Sequence, residues 1–260
     1  MRLTKINYHT LEANRAYWST SQFKSFDKCE AMGLAEVNGD YYRDDTDALL
    51  IGGYVDAYFS NEMEYFRALH GDQLYSKRGG GLLAKYQHAN DLIARVKADP
   101  LMMDFLTGDK QVVMTAEICG VPWKGKLDVY NGKRIVDLKT VKDFGDVWVD
   151  GYGYKSWIEA WGYDIQGAIY QKLEQGATGR PYPLPFYIAA VTKEKYPDIK
   201  VIEIPQHILD AALVMVDAKI ERYDMIKHGE VEPIRCERCD YCKTTKVLTS
   251  PEIYEIREAE

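Results

Sequence analysis

The chain has 260 residues, 46% hydrophobic and 28% charged, the balance of a globular protein that buries one sizeable core. Its net charge of −7 excludes a protein that coats nucleic acid through a generally basic surface, though not one with a local basic groove. No apolar run approaches the roughly 18 residues of a membrane span, and the opening MRLTKINYHTLEANRAYW lacks the apolar stretch of a secretion signal, so a cytoplasmic protein is expected.

In chain order, residues 19–38 begin with Ser/Thr cap candidates and place Phe23, Phe26 and Ala31 near helical spacing. Residues 46–59 read as a second helix with the pair Gly52-Gly53, SKRGGGLL as a loop, and residues 84–98 as an amphipathic helix stopped near Pro100. From Gln111 the period falls to two through QVVMTAEI, PWKGKLDVY and KRIVDLKT. A long helix over 156–175, ended by Gly176, then two strands over 183–194 and 199–205, then a helix over 206–228 closed by Gly229, complete the core. This order predicts an α/β fold with a mixed central sheet flanked by helices, in one domain. A helical part (1–110) precedes the core (111–228), and a cysteine-containing tail (229–260) follows it.

The stretch GKLDVYNGKRIVDLKT carries more charge than a half-buried strand pair usually tolerates. Asn131-Gly132 between alternating runs predicts a two-residue type I′ turn, which pairs Lys126 with Asp137 and Asp128 with Ile135. Asp128, Asp137 and Lys139 then project from one face, whereas a loop one residue longer would turn Asp128 away. Two carboxylates placed diagonally repel unless a positive charge lies between them, and Mg²⁺ fits that need. Lys139 could then orient a water or stabilise charge on a phosphate. The plain alternative is a solvated strand face with scattered salt bridges. Glu117, one strand earlier, would either extend the acidic cluster or pair with Lys124 or Lys126. Trp157 and Trp161, at i and i+4, are expected in the core, with a base-stacking platform as the alternative.

Five cysteines include Cys236, Cys239 and Cys242 in RCERCDYCK, and such crowding in a reducing compartment favours a metal over disulfides. Ferredoxin runs begin with this spacing, but no fourth cysteine follows locally. Zinc and three unmetalled thiols are the alternatives. Cys119, next to Gly120, is expected in the core or a turn.

GKLD followed by IVDLKT resembles the active-site hairpin of PD-(D/E)XK nucleases. Gln166 and Tyr170 resemble the Q-x-x-x-Y helix motif of the RecB-type branch. Gly52–Asp56 resembles its G-x-x-x-H motif, with Asp56 where a metal-binding histidine is usual. WSTSQFKSFDKCE resembles the opening of many such domains, so the likeness runs from about Ser19 to Cys242. It implies a restriction-endonuclease-like core with Asp128, Asp137, Asp56 and the Leu138 carbonyl on Mg²⁺ or Mn²⁺. Lys139 would act on the water, and Gln166 and Tyr170 would contact phosphate or brace Lys139. Asp in place of His at 56 is a harder ligand that would favour Mg²⁺. It also implies a [4Fe–4S] cluster on Cys29, Cys236, Cys239 and Cys242, with Zn²⁺ as the alternative.

Within the group the resemblance is to phage and prophage RecE-type, exonuclease VIII-like enzymes. That likeness implies 5′-to-3′ resection of linear duplex DNA in a bacterial host, a single-strand annealing recombinase as partner, and a homo-oligomer. Two other readings stand beside it: an iron–sulfur single-strand nuclease of the CRISPR-adaptation type, and an inert DNA-end-binding module.

Overall fold

The computed structural model describes residues 1–78 and 80–251. Its helical N-terminal part comprises α1 (Leu11–Ala16), α2 (Thr20–Lys28), α3 (Glu30–Asn38), α4 (Asp47–Phe59), α5 (Met63–Leu74), α6 (His88–Lys97) and α7 (Pro100–Phe105). Strands β1 (Asp109–Ile118), β2 (Val121–Tyr130) and β3 (Ile135–Val141) follow, then a small ribbon of β4 (Val147–Val149) and β5 (Gly153–Lys155). The remainder is α8 (Trp157–Ala160), α9 (Tyr163–Thr178), β6 (Phe186–Thr192), β7 (Ile199–Glu203), α10 (Gln206–Lys227) and α11 (Asp240–Thr244). No described helix is long and apolar enough to cross a membrane.

The five-stranded sheet has the order β1-β2-β3-β6-β7, with β3 and β6 parallel and the other neighbours antiparallel. The mixed sheet read from the pattern is therefore present. β6 is almost continuously apolar because both its faces are covered. Phe186, Ile188 and Ala190 join the core beneath α2, α9 and α10, while Ala189 and Val191 join the core beneath α4, α6 and α7. These two apolar layers clamp β3 and β6, and so fix the strand that carries Asp137 and Lys139.

Three local expectations are corrected. The expected helix over 19–38 breaks at Cys29, whose extended backbone (φ −167°, ψ 113°) ends α2 and begins α3. The helix expected over 156–175 breaks at Gly162 (φ 61°) and continues past Gly176 to a C-cap at Gly179. Gly176 packs against Ala116 of β1 and serves close approach, not termination.

The third correction concerns the hairpin. The two-residue turn with both φ positive is Cys119-Gly120 (50° and 77°), between the paired Ile118 and Val121. The β2–β3 loop instead spans four residues, 131–134, because Tyr130 pairs with Ile135. Asn131 Oδ1 accepts from the amides of Lys133 and Arg134, both at 3.1 Å, in an Asx-type turn. Arg180 donates to the Gly132 carbonyl at 3.2 Å, and Arg134 binds Asp104 while stacking on Phe105 at 4.1 Å. These tertiary anchors outweigh the local type I′ preference. With the loop longer by two residues, a regular ladder would set Asp128 level with Asp137 and not diagonal to it, but the ladder ends at Val129–Val136 before reaching them.

Gly167 of α9 offers a check on the close packing. A methyl there would press on buried Phe186 and stand 2.8 Å from Leu209 Cδ2. Gly→Ala inside a helix ordinarily gains about 1 kcal/mol, whereas overpacking costs roughly 1–3 kcal/mol. Gly167→Ala should therefore lower the melting midpoint by a few degrees in calorimetry. An unchanged or raised midpoint would show that the contact yields.

Candidate active site and cysteine centre

β2 and β3 are hydrogen-bonded as a ladder only through Val129–Val136 and Tyr130–Ile135. Beyond that the strands part, and side chains fill the gap. Asp128 Oδ2 accepts from the Leu138 amide at 3.0 Å. Leu127 packs with the α9-side core, yet Val129, two residues on, packs with the α4-side core, so β2 turns over at Asp128. On β1, Gln111 lies across from Asp128, between the pairs Lys110–Val129 and Val112–Leu127. Gln111 is buried and has φ +52°, an unusual conformation for a non-glycine residue in a strand.

This irregularity gathers the acids. Gln111 Nε2 donates at 3.4 Å to Asp56 Oδ1 from α4 and at 3.3 Å to Asp128 Oδ1. Asp56, Asp128 and Leu138, with Phe59, Ser60, Leu106 and Val129, line a cavity of about 10 Å³, room for one atom-sized occupant. A larger hollow of about 330 Å³, between α5 and Tyr75, Ser76, Lys77 and Gly80, contains none of these carboxylates.

Asp137 is fully buried. Its Oδ2 lies 2.6 Å from Lys139 Nζ in an ion pair. Its Oδ1 accepts from Gln166 Nε2 at 2.7 Å. The same Gln166 nitrogen donates to Tyr170 OH at 3.0 Å, and Tyr170 OH donates to the Lys126 carbonyl at 3.0 Å. Gln166 and Tyr170 thus brace Asp137 against β2; the expected brace on Lys139 is not what they form. Lys139 Nζ also sits 5.1 Å from the Tyr163 ring.

The electrostatics follow from crowding. Burial pushes the Asp56 carboxyl up to about 6, against the pull of Lys139 and Lys126. Burial, then repulsion from Asp137 and Asp56, holds Asp128 well above the carboxylate range. Burial alone would lower Lys139, but Asp137 and Asp128 outweigh it and keep the ammonium charged. Three carboxylates held near one another with one ammonium are short of positive charge, and all-oxygen donors suit a hard divalent cation.

Glu117 does not belong to this group. It pairs with Pro122 at the far end of β1, exposed, six residues and roughly 20 Å along the strand from Gln111. Nor does it pair with Lys124, which is buried and donates to the Tyr8 carbonyl at 2.6 Å and to Asn14 at 2.7 Å. Trp157 is buried as expected, whereas Trp161 is 55% exposed, because the break at Gly162 turns it out. Sequence reasoning missed Gln111 and Tyr8. The strand register across from Asp128 could have pointed to Gln111. Tyr8, whose phenol is pushed up by burial and by Asp128, left no such signal.

The second cluster lies where α2 meets α3. Cys29, Cys236, Cys239 and Cys242 bring their sulfurs within 4.8 Å of one another. Cys29 and Cys242 are 3.6 Å apart, Cys236 and Cys242 4.0 Å. The Cys239 and Cys242 amides donate to the sulfurs of Cys236 and Cys239 at 3.3 and 3.4 Å. Although burial pushes it up, amide donors including Arg238 and Cys239 hold the Cys236 thiol down at about 6, as a thiolate ligand requires. Glu30 anchors the tail by accepting from the Ile234 amide at 2.7 Å. Cys119 stands apart in its turn.

A family model described as a PDDEXK-like domain of unknown function (DUF3799) matches residues 19–245. Among solved structures, the chain is similar to a protein from Eubacterium rectale described as a candidate exonuclease. The two share 39% identity over 97% of each chain, with a TM-score of 0.91. A comparison with curated proteins finds no match. The motifs that resembled PD-(D/E)XK nucleases thus sit in a matching fold, and the chain belongs to the DUF3799 family of PDDEXK-like domains.

Proposed function

We propose that this PDDEXK nuclease is a metal-dependent exonuclease that hydrolyses phosphodiesters of linear DNA, with the 5′-to-3′ resection polarity of the RecE-type enzymes it resembles. The observation that carries the reading is the convergence of Asp56, Asp128 and Asp137 beside a charged Lys139. The inert-module reading would have to explain three desolvated acids with no task.

Asp56, Asp128 and Asp137 are the residues that would hold Mg²⁺ or Mn²⁺, with the carbonyl of Leu138, a residue that lines the cavity beside Asp56 and Asp128, as a further ligand. When bound, the cation polarises the phosphate and lowers the pKa of a water. Lys139, held as the ammonium, is not the base in this state; it donates towards the phosphate oxygens on which charge builds. Gln166 and Tyr170 are positioning residues that lock the Asp137 carboxylate through the 2.7 Å hydrogen bond. The Gln111 amide spaces Asp56 from Asp128, and its buried Oε1, without a hydrogen-bond partner, adds an oxygen beside the acids.

At the cysteines, four thiolates around one zinc ion with Zn–S near 2.3 Å stand roughly 3.8 Å apart by tetrahedral geometry. The 3.6 and 4.0 Å separations, in a set no wider than 4.8 Å, suit that span. A [4Fe–4S] cluster places its thiolates on separate irons and needs them further apart. We therefore favour a single Zn²⁺.

Asp137→Asn and Lys139→Ala should each slow Mg²⁺-dependent digestion of end-labelled linear duplex by at least about 10³-fold while leaving the fold intact by circular dichroism. Near-wild-type digestion by either variant sinks the assignment. Labels at 5′ and 3′ ends read the polarity, and a single-stranded control tests the CRISPR-adaptation-type reading. Gln166→Ala should lower kcat or cation affinity about 10- to 100-fold and leave KM for DNA little changed.

The carboxyl shifts have a defined sign. Raised carboxyls bind more protons folded than unfolded, so cation-free stability should fall as pH rises from about 4 through about 6. A cation must displace those protons, so its affinity should rise through the same window. Calorimetric titration in two buffers of different ionisation heat should show proton release near pH 6; its absence would contradict a cation at these acids.

Metal removal at the cysteines supplies another test. Cys29→Ser, or a strong chelator, should lower the melting midpoint by several degrees. Metal analysis should find one zinc per chain, and a broad visible band in anaerobically purified protein would establish iron–sulfur instead.

A further inference from the structure

The break between α8 and α9 is shaped around a lysine. Gly162 has φ +61°, and a Cβ on it would stand 2.9 Å from Lys24 Cδ. Any other residue would obstruct the Lys24 chain as it reaches in from α2. Lys24 Nζ donates to the Trp161 carbonyl at 3.0 Å, leaving its other N–H groups unspent on that contact. It lies 5.6 Å from the Tyr163 ring, and Lys139 Nζ lies 5.1 Å from the same ring. Trp161, Lys24, Tyr163 and Lys139 therefore follow one another from the surface to the reaction centre. Burial, then repulsion from Lys139, pushes the Lys24 ammonium down to about 8, against the pull of Asp137 and Asp164, so it stays mostly charged at neutral pH.

Trp161 does nothing visible for the core, since 55% of it is exposed. An exposed indole whose own backbone carbonyl holds an ammonium can serve the two halves of a nucleotide: a flat base and a phosphate. The exposed aromatic surface continues on the ribbon packed against α8, where Trp148 and Tyr154 pair edge-on at 5.2 Å. A polypeptide partner would use the indole but would have less use for an ammonium placed beside the phosphodiester-cleaving lysine.

We propose that Trp161 and Lys24 form a nucleotide subsite next to the reaction centre, in which the indole stacks on the base of an unpaired nucleotide and the Lys24 ammonium pairs with its phosphate. The subsite rests on the nuclease reading and names the substrate element that reading leaves open: an unpaired nucleotide of the strand being cut.

The test measures binding without cleavage, using Asp137→Asn protein and fluorescently labelled single-stranded oligonucleotides. Trp161→Ala should weaken binding roughly 5- to 100-fold, and Trp161→Phe should keep most of the affinity. In oligonucleotides carrying one abasic site walked from the end, one position should weaken the parent protein but not the Trp161→Ala form. Lys24→Met should reduce the slope of log affinity against log salt by about 0.7. Trp161 is exposed, so its variants should melt like the parent. Unchanged affinity in Trp161→Ala, or equal sensitivity to every abasic position in both proteins, overturns the stacking role. An unchanged salt slope in Lys24→Met overturns the phosphate contact. Because nothing is cleaved in this assay, failure of wild-type protein to hydrolyse DNA would count against the nuclease reading alone.

Discussion

Three carboxylates and one ammonium share a region largely withdrawn from water, and their charges do not balance. At an effective dielectric near 20, a pair of like charges 4 Å apart repels by about 4 kcal/mol. The cation-free protein meets this with protons, which is why burial and mutual repulsion raise Asp56 and Asp128. Functionally, the same imbalance is a demand for a divalent cation. The Gln111 amide bridges Asp56 and Asp128 by donating to both.

Building that imbalance requires the sheet to be regular on one side and irregular on the other. β3 runs in seven-residue parallel register with β6 from Ile135 to Val141, and both strands are clamped by apolar layers. Asp137 and Lys139 are thus held by the stiffest part of the fold. On the other side β2 leaves the ladder after two pairs, turns over at Asp128, and is matched on β1 by the positive φ of Gln111. Such backbone costs of order 1–3 kcal/mol and persists where surroundings over-determine it. Here Tyr170, bound to the Lys126 carbonyl, and Leu138, bound to Asp128, supply that determination.

How much of this the sequence disclosed follows from the range of the forces involved. Alternating and amphipathic patterns report burial on each element, so the mixed sheet, α4, α6 and α10 were legible. The nearness of the hairpin acids was legible, but not its route: a four-residue loop and an irregular strand at Asp128, not a regular register, bring Asp128 close to Asp137. Loop length itself was not legible. Arg180 and Arg134, distant in sequence, override the Asn-Gly turn, while Cys119-Gly120 takes the tight turn that composition assigned elsewhere. Gly162 was read as helix interior because its reason, the passage of Lys24, lies 138 residues away by the numbering of the chain. Glu117 failed for the opposite reason: an acid on the neighbouring strand looked near until register set it at the far end.

The cysteine centre connects to the same logic through α2. Cys29 and Cys242 are separated by 213 residues, so any ion they share closes nearly the whole chain and restricts its unfolded states. The position matters more than the length. Cys29 ends the helix that carries Lys24, and Lys24 reaches across to the Trp161 carbonyl beside the reaction centre. Glu30, next to Cys29, ties the tail at Ile234 and the α10 side chain of Arg222 to the same junction. A metal at the cysteines would therefore tie the start of α3 and the end of α2 to the tail, beside the Glu30–Arg222 link to α10. Its effect on hydrolysis would be positional, carried through α2 to the wall of the site and not through electrons.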